Sequence, residues 1–505
     1  MTSLASRDMV LAAWSLVAVL VAVILVIVVR GARRTRSVDD YALGTVAFSP
    51  VAVGLALAAS MTSAATFIIN PGFIALYGVS GVVSYALIMP LAAMVSLVVL
   101  TKGFRKHGQT VKALSLAQWM GTRWESRGYA LFFAVLSLLL VTFVVLIVVG
   151  LTKVLAAALA APQMLVLWSL VLFVFGYMMF GGANSMVYTN TVQACLMIIV
   201  AMVLLTSGHD RFAAGIAGFL DQLRAVDPAL ASVPNPGSFL FRDWFEIGIA
   251  QVIVGVAIVC QPHIITKSLL LKTDRDVNRY LTVGVIVEML FFAVVIAGLY
   301  ARLAFPDLLA GGQNLAMDDI IPAYVVAEFP VWMGLLVVLG LISAGLSTLE
   351  GLIQSLGTTI TADLVAPLAG RRLPCEGPAR DRILLRINRG AITLLAVVAG
   401  LLSMDQLVHP KLSVAIFAQN GVYAYFAAAF VPILFGMFRP RAARRAVVAA
   451  SLTAIAVHFP MHYLDLTVPG TLASGRNPGV AAAVAIVASV LVGLGVDLVS
   501  RRRAS

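Results

Sequence analysis

Residues 58–66 read Ala58-Ala59-Ser60-Met61-Thr62-Ser63-Ala64-Ala65-Thr66, and the same apolar stretch runs on to Asn70-Pro71-Gly72. Farther along, Cys260-Gln261-Pro262-His263 interrupts another apolar run. The first stretch clusters small hydroxyl residues ahead of a Pro-Gly pair, which predicts an interrupted helix. In the second, Pro262 removes a backbone donor and frees carbonyls one turn earlier. Inside hydrocarbon every backbone N–H and C=O must find a partner within the protein, so broken helices survive only where they are buried or line a cavity. If both stretches lie in a membrane, they mark a site.

Composition places them there. Of 505 residues, 61% are apolar and 11% charged, whereas soluble domains carry roughly 25% charged residues. Mean hydropathy is +1.00, and the 40 glycines follow no collagen period. Apolar windows predict spans near 9–30, 46–70, 79–101, 128–150, 160–180, 187–207, 245–266, 280–302, 330–362, 388–404, 411–437, 445–463 and 479–500. At roughly 20 residues each, thirteen spans occupy about 260 residues. That leaves short loops and no room for a soluble catalytic domain or a fused signalling module. The longest loop opposite the basic side, 208–244, reads as a short helix plus loop over the entrance. The first span exceeds a signal-peptide core and is followed by Arg30, Arg33, Arg34 and Arg36, a stop-transfer pattern.

Charge sets the orientation. With thirteen spans, 27 of the 35 Lys and Arg residues fall on one side, Lys267 among them at a loop boundary. The positive-inside rule makes that side cytoplasmic, with the N-terminus outside and the C-terminus inside, which suits a multi-pass protein of the cell's cytoplasmic membrane. The net charge of +12 is therefore topology and not a nucleic-acid face, which would need a folded polar module. Clusters such as Arg371-Arg372 and those at 441–445 read as lipid-headgroup contacts. Cys195 and Cys260 lie in spans and Cys375 in a basic loop; no disulfide framework or zinc site is expected.

The two interrupted spans are the second and the seventh, the first members of blocks 2–6 and 7–11. Five being odd, the second block is inverted relative to the first. Paired broken helices at matching positions of inverted repeats point to a secondary transporter with its site near the bilayer midplane. The expected fold is thus an all-α integral membrane protein of thirteen transmembrane helices. It has a five-plus-five inverted-repeat core, one extra N-terminal helix and two extra C-terminal helices. The chain is one transmembrane domain, 1–505, divided into 1–45 (first span and basic loop), 46–207 (first repeat), 245–437 (second repeat) and 438–505 (last two spans and tail).

The ninth span supplies Ala344, Ser347 and Thr348 at i, i+3 and i+4, on one helical face. Two hydroxyls and a carbonyl there, with carbonyls freed by an unwound helix, would give a hard cation such as sodium a five-oxygen shell. The alternative is that these hydroxyls bond back to the i−4 carbonyl or pack on a neighbour. Glu350 and Glu288 are the carboxylates deepest in apolar runs, each a functional-site hypothesis by default. Glu350 stands as a protonatable group, a partner for a solute amine, or one half of a structural pair. Glu288 reads as structural or lipid-interfacial. His263, beside the break, contacts solute or bonds a freed carbonyl.

At these residues the chain resembles the sodium:solute symporter family, with motifs nearest its bacterial sodium/proline members. The resemblance rests on 59–72, on Gly181-Gly182 with Tyr188-Thr189-Asn190-Thr191-Val192-Gln193-Ala194, on Gln261-Pro262-His263-Ile264, and on Ala344, Ser347-Thr348 and Asp363-Leu364. It implies alternating access driven by the sodium gradient. Carried over by position, the sodium ligands fall on the carbonyls of Ala59, Thr62 and Ala344 and the hydroxyls of Ser347 and Thr348. The chain also departs from the pattern. Asn190 replaces an aspartate that in some members is associated with a further sodium, so one coupling ion is expected. Met61 stands where sodium/proline members have aspartate, and Val254 and Ile258 where they have aromatics.

The expected function is sodium-coupled import of a small polar organic solute, an amino acid or monocarboxylate. The alternatives are proton coupling through Glu350, or sodium-coupled uptake of a sugar or a vitamin such as pantothenate. Solute contacts are expected from Ser60, Met61, Ser63, Ala64, Gln261 and His263, with Asn190 and Glu350 in coupling or gating. A membrane enzyme is disfavoured, since the chain shows no HExxH, GxSxG or P-loop pattern. The expected partners are a small solute and the lipid bilayer, with no nucleic acid and no obligate protein partner.

Overall fold

The computed structural model describes residues 7–45, 47–63, 65–111, 113–271, 273–370, 377–409 and 414–502. Ala64, Arg371, Arg372 and Cys375 lie outside the described residues. Among those described, eleven helices are long and apolar enough to cross a membrane, from Val10–Ala32 to Pro478–Arg502, and two bent helix pairs bring the number to as many as thirteen. The bent pairs are Pro50–Met61 with Ala65–Tyr77 and Phe245–Ile258 with Pro262–Leu270, each turning through 57°. Both fall in the two stretches expected to be interrupted.

In the first pair, Thr62 is extended and its N–H closes the last helical bond to the Ala58 carbonyl at 3.0 Å. Ser63 then caps the second half, its Oγ accepting from the Ala65 N–H at 3.1 Å. The break therefore lies among the hydroxyl residues and not at Asn70-Pro71-Gly72, which runs inside the second half. A π-helical turn over Ala65–Ile69 precedes Pro71. Such local adjustment lets a membrane helix carry a proline without ending.

In the second pair the chain turns at Gln261 (φ −74°, ψ 139°), and Pro262 opens the next helix at a position where no N–H is needed. The far end of that half-helix is tied by Arg105, whose guanidinium donates to the carbonyls of Ser268 at 3.0 Å and Leu271 at 2.5 Å.

Around these pairs the remaining helices form the wall. Helix Val331–Thr359 packs against Ala183–Thr206, Val141–Leu159 and Pro50–Met61. Val414–Phe438 is the most enclosed span, with 89% of its apolar window buried, while Val10–Ala32 at 22% is peripheral. Gly54 lets the first half-helix press on Asp274–Ala293, since a Cβ there would stand 2.8 Å from the Tyr280 carbonyl. Over the Tyr77 end of the first pair lies the loop expected at 208–244, with helix Gly215–Val226. Ser80 donates to the Ser232 carbonyl at 2.7 Å and Asn235 to the Tyr77 carbonyl at 3.1 Å, fastening it. A two-residue hairpin, Leu309–Ala310 with Gln313–Asn314, has no counterpart in the sequence pattern.

Candidate cation and solute site

Ending a helix at Met61 leaves the carbonyls of its last turn without intrahelical donors. The Val331–Thr359 helix answers them. Ser347 Oγ lies 2.6 Å from the Ala59 carbonyl oxygen and 3.0 Å from that of Ala344. Thr348 Oγ1 lies 3.3 Å from the Thr62 carbonyl, 3.3 Å from that of Ala344 and 3.5 Å from that of Ala59. Ala59, Thr62, Ala344, Ser347 and Thr348 are all fully buried. Each hydroxyl, with its one proton, thus has carbonyl acceptors both within its own helix and across on the broken span, and the cross-helix contact of Ser347 is the shorter. Three carbonyl and two hydroxyl oxygens from segments far apart in sequence converge without a formal charge among them.

A carboxyl group stands behind them. Glu288 is fully buried, and its Oε2 accepts from Thr62 Oγ1 at 2.7 Å. Its Oε1 has no partner among the described residues. This corrects the lipid-interface reading: Glu288 faces the broken span because Asp274–Ala293 packs along it.

Glu350 is equally buried and accepts from Tyr177 Oη at 2.6 Å, Thr189 Oγ1 at 2.6 Å and Gln193 Nε2 at 3.2 Å. Its partners lie on helices Gln163–Gly181 and Ala183–Thr206, on the side of its own helix away from the cavity described below.

A third buried ionisable residue is one that the charge pattern alone assigns to a loop. Lys267 is 4% exposed, and its Nζ donates to Ser60 Oγ at 2.7 Å and to the Ala56 carbonyl at 3.0 Å. It therefore does not belong in the positive-inside count. The available signal is its spacing, four residues after His263 on the half-helix opened by Pro262, hence on the same face. Ser60 also accepts from Asn190 Nδ2 at 2.9 Å and donates to the Ser347 carbonyl at 3.3 Å.

A small cavity of about 80 Å³ opens beside the two breaks. Met61, Ser63, Gln261 and His263 line it, as expected of solute contacts, and Ile258 joins them. Ser60 instead faces the lysine cluster. The aromatic lining, Tyr85, Phe143, Phe292 and Tyr423, comes from other spans and has no signature in the sequence. Gln261 Oε1 and His263 Nδ1 are buried and without partners among the described residues. His263 also borders a second, smaller cavity of about 30 Å³ lined by Thr266, Lys267, Gln354 and Ser355.

Two membrane helices interrupted at depth, a ring of freed oxygens and an adjoining cavity define a multi-pass secondary transporter. The family model described as the sodium:solute symporter family matches residues 41–453, and the chain belongs to that family: it is a sodium-coupled symporter of a small solute. A sodium/pantothenate symporter of Escherichia coli is 25% identical over 441 residues, covering 83% of this chain and 84% of that protein. A sodium/proline symporter of the same organism is 24% identical over 429 residues, covering 83% and 82%. The structure of a Na⁺-coupled sialic acid symporter, in a substrate-bound outward-open state, superposes with a TM-score of 0.75 at 16% identity, covering 95% of this chain and 98% of that one.

Proposed function

We propose that this chain is a carrier and not an enzyme, and that it imports a small carboxylate-bearing solute with one sodium ion bound by the carbonyls of Ala59, Thr62 and Ala344 and the hydroxyls of Ser347 and Thr348. The observation that supports this reading is the five-oxygen convergence at 2.6–3.5 Å, next to a cavity lined by the same broken segment. Neutral oxygens from an unwound helix suit a hard monovalent cation. An ion there would join the second span to the ninth and fix the shape of the cavity wall at Met61 and Ser63.

A carboxylate suits the cavity because the half-helices beginning at Ala65 and Pro262 present their N-terminal ends at the breaks, where aligned backbone dipoles favour negative charge. The named cargoes of two relatives, pantothenate and proline, are both carboxylic acids. Equal 57° bends in the two pairs agree with inverted repeats, spans 2–6 against 7–11. The basic loops agree with a cytoplasmic C-terminus and an external N-terminus in the cell's inner membrane. Rocking of the broken pairs against the wall would then expose the cavity to each side in turn.

The test is uptake into proteoliposomes of radiolabelled proline and pantothenate, with an inward sodium or potassium gradient at matched membrane potential, and separately with a pH gradient alone. Sodium-driven accumulation of a carboxylate solute is expected. Uptake driven by the pH gradient without sodium would overturn the coupling assignment.

A further inference from the structure

We propose that the Lys267 ammonium is this carrier's second cation, a resident charge that fills the oxygen-lined cleft between Ala56, Ser60, Asn190 and Ser347 and holds the transported ions to one. The inference rests on the sodium site proposed above and concerns the ground beside it.

A buried ammonium needs acceptors or a counter-charge. Lys267 has the Ala56 carbonyl and Ser60 Oγ as acceptors, and Glu350 within electrostatic reach. Ser60 Oγ is saturated: it accepts from Lys267 and from Asn190 and donates to the Ser347 carbonyl. Ser347 is also the residue whose hydroxyl belongs to the five-oxygen cluster. The ammonium, through Ser60, and the proposed ion thus both bear on Ser347, the first on its carbonyl and the second on its hydroxyl.

Without the lysine, the cleft would hold the Ala56 carbonyl, Ser60 Oγ and the Ser347 carbonyl; Asn190 turns its Nδ2 toward the last two, at 2.9 and 3.4 Å, and an amide flip would offer its Oδ1, which is buried with no partner among the described residues. With the Glu350 carboxylate behind them, these groups make a cation site by their chemistry. Lys267 supplies that cation from the chain itself. A tethered charge does not dissociate, so it leaves no second ion to be carried and opposes, by like-charge repulsion, any that approaches. Its position late in the half-helix Pro262–Leu270 adds the favourable dipole of a helix C-terminus.

The test is sodium binding to the purified full-length protein, followed by radiolabelled sodium and by thermal shift against potassium. The wild-type protein should bind about one sodium ion per chain at saturation. Lys267→Gln and Lys267→Met vacate the charge, and the bound sodium should rise toward two per chain; Lys267→Arg should keep it at one. A stoichiometry that stays at one in both neutral variants while sodium still binds, or of two in the wild type, overturns the proposal.

Should the neutral variants fail to fold, Asn190→Asp in the otherwise native chain decides. It should leave the stoichiometry at one sodium per chain, because the ammonium pairs with the new carboxylate, whereas a rise toward two would show the cleft open to sodium. A wild-type protein with no sodium response at all would overturn the parent reading, and this inference with it.

Discussion

Removing a single hydroxyl from the five-oxygen cluster is the most direct probe of the sodium assignment. Ser347 Oγ has the shortest contact in the cluster, 2.6 Å to the Ala59 carbonyl, and it is fully buried, so water has no ready route to replace it. Ser347→Ala deletes one ligand of five and leaves the helix face otherwise intact, alanine being a strong helix former. A polar contact to a charged group contributes about 1.5–3 kcal/mol, and each 1.4 kcal/mol is roughly a factor of ten in affinity. The sodium concentration for half-maximal uptake should therefore rise roughly 10- to 150-fold. Maximal uptake at saturating sodium and the amount of inserted protein should change little. Thr348→Ser keeps the hydroxyl and should move the sodium requirement far less than Thr348→Ala. The assay is initial-rate uptake against sodium concentration at constant ionic strength. An unchanged requirement in Ser347→Ala and Thr348→Ala alike would refute the assignment.

Other perturbations separate the solute cavity from the scaffold. Gln261→Ala removes a cavity-lining amide from the Pro262 break; the solute concentration for half-maximal uptake should rise roughly tenfold, as for loss of one polar contact, with the sodium requirement nearly unaltered. Thr62→Val keeps the Thr62 carbonyl but strips Glu288 of its donor, so thermal unfolding in detergent should report a loss of about 1–3 kcal/mol, and Thr62→Ser should restore it. Tyr177→Phe takes one of three donors from Glu350 and should cost a similar about 1–3 kcal/mol by the same assay. Gly54→Val sets a side chain against the Tyr280 carbonyl; size-exclusion profiles should show a reduced monodisperse fraction, and a native profile would show that the helices can separate.

The sequence announces membrane helices loudly, because an uncharged apolar run of about 20 residues matches the thickness of the hydrocarbon core. The two interrupted spans are also legible, since proline and clustered hydroxyls act on the local backbone. That Ala344, Ser347 and Thr348 share a face follows from helical spacing, and their role as ligands is implied only by the resemblance to the family. Placement across the bundle is less visible. Pro71 looks like the point of rupture, yet a π-turn absorbs it, and the chain parts at Thr62 where Ser63 can cap. Glu288 gives no hint of Thr62, because their meeting depends on how Asp274–Ala293 packs against Pro50–Met61. Lys267 reads as a loop residue because window hydropathy sees a charge at a span's end and not the direction in which its half-helix points. The aromatic cavity lining, drawn from several spans, leaves no local pattern to read.

The side chain of His263 borders both the larger cavity by the breaks and the smaller one containing Lys267. At this point one imidazole lines both compartments, and Gly351 adds no bulk beside it: a Cβ added there would stand 3.6 Å from both the Cβ of His263 and the Oγ of Ser60. A wall shared in this way means that a rotation of one ring, accompanied by modest helix tilt, would merge the compartments without dismantling the bundle. It also means that tightness against slippage depends on that ring staying in place while cargo is aboard.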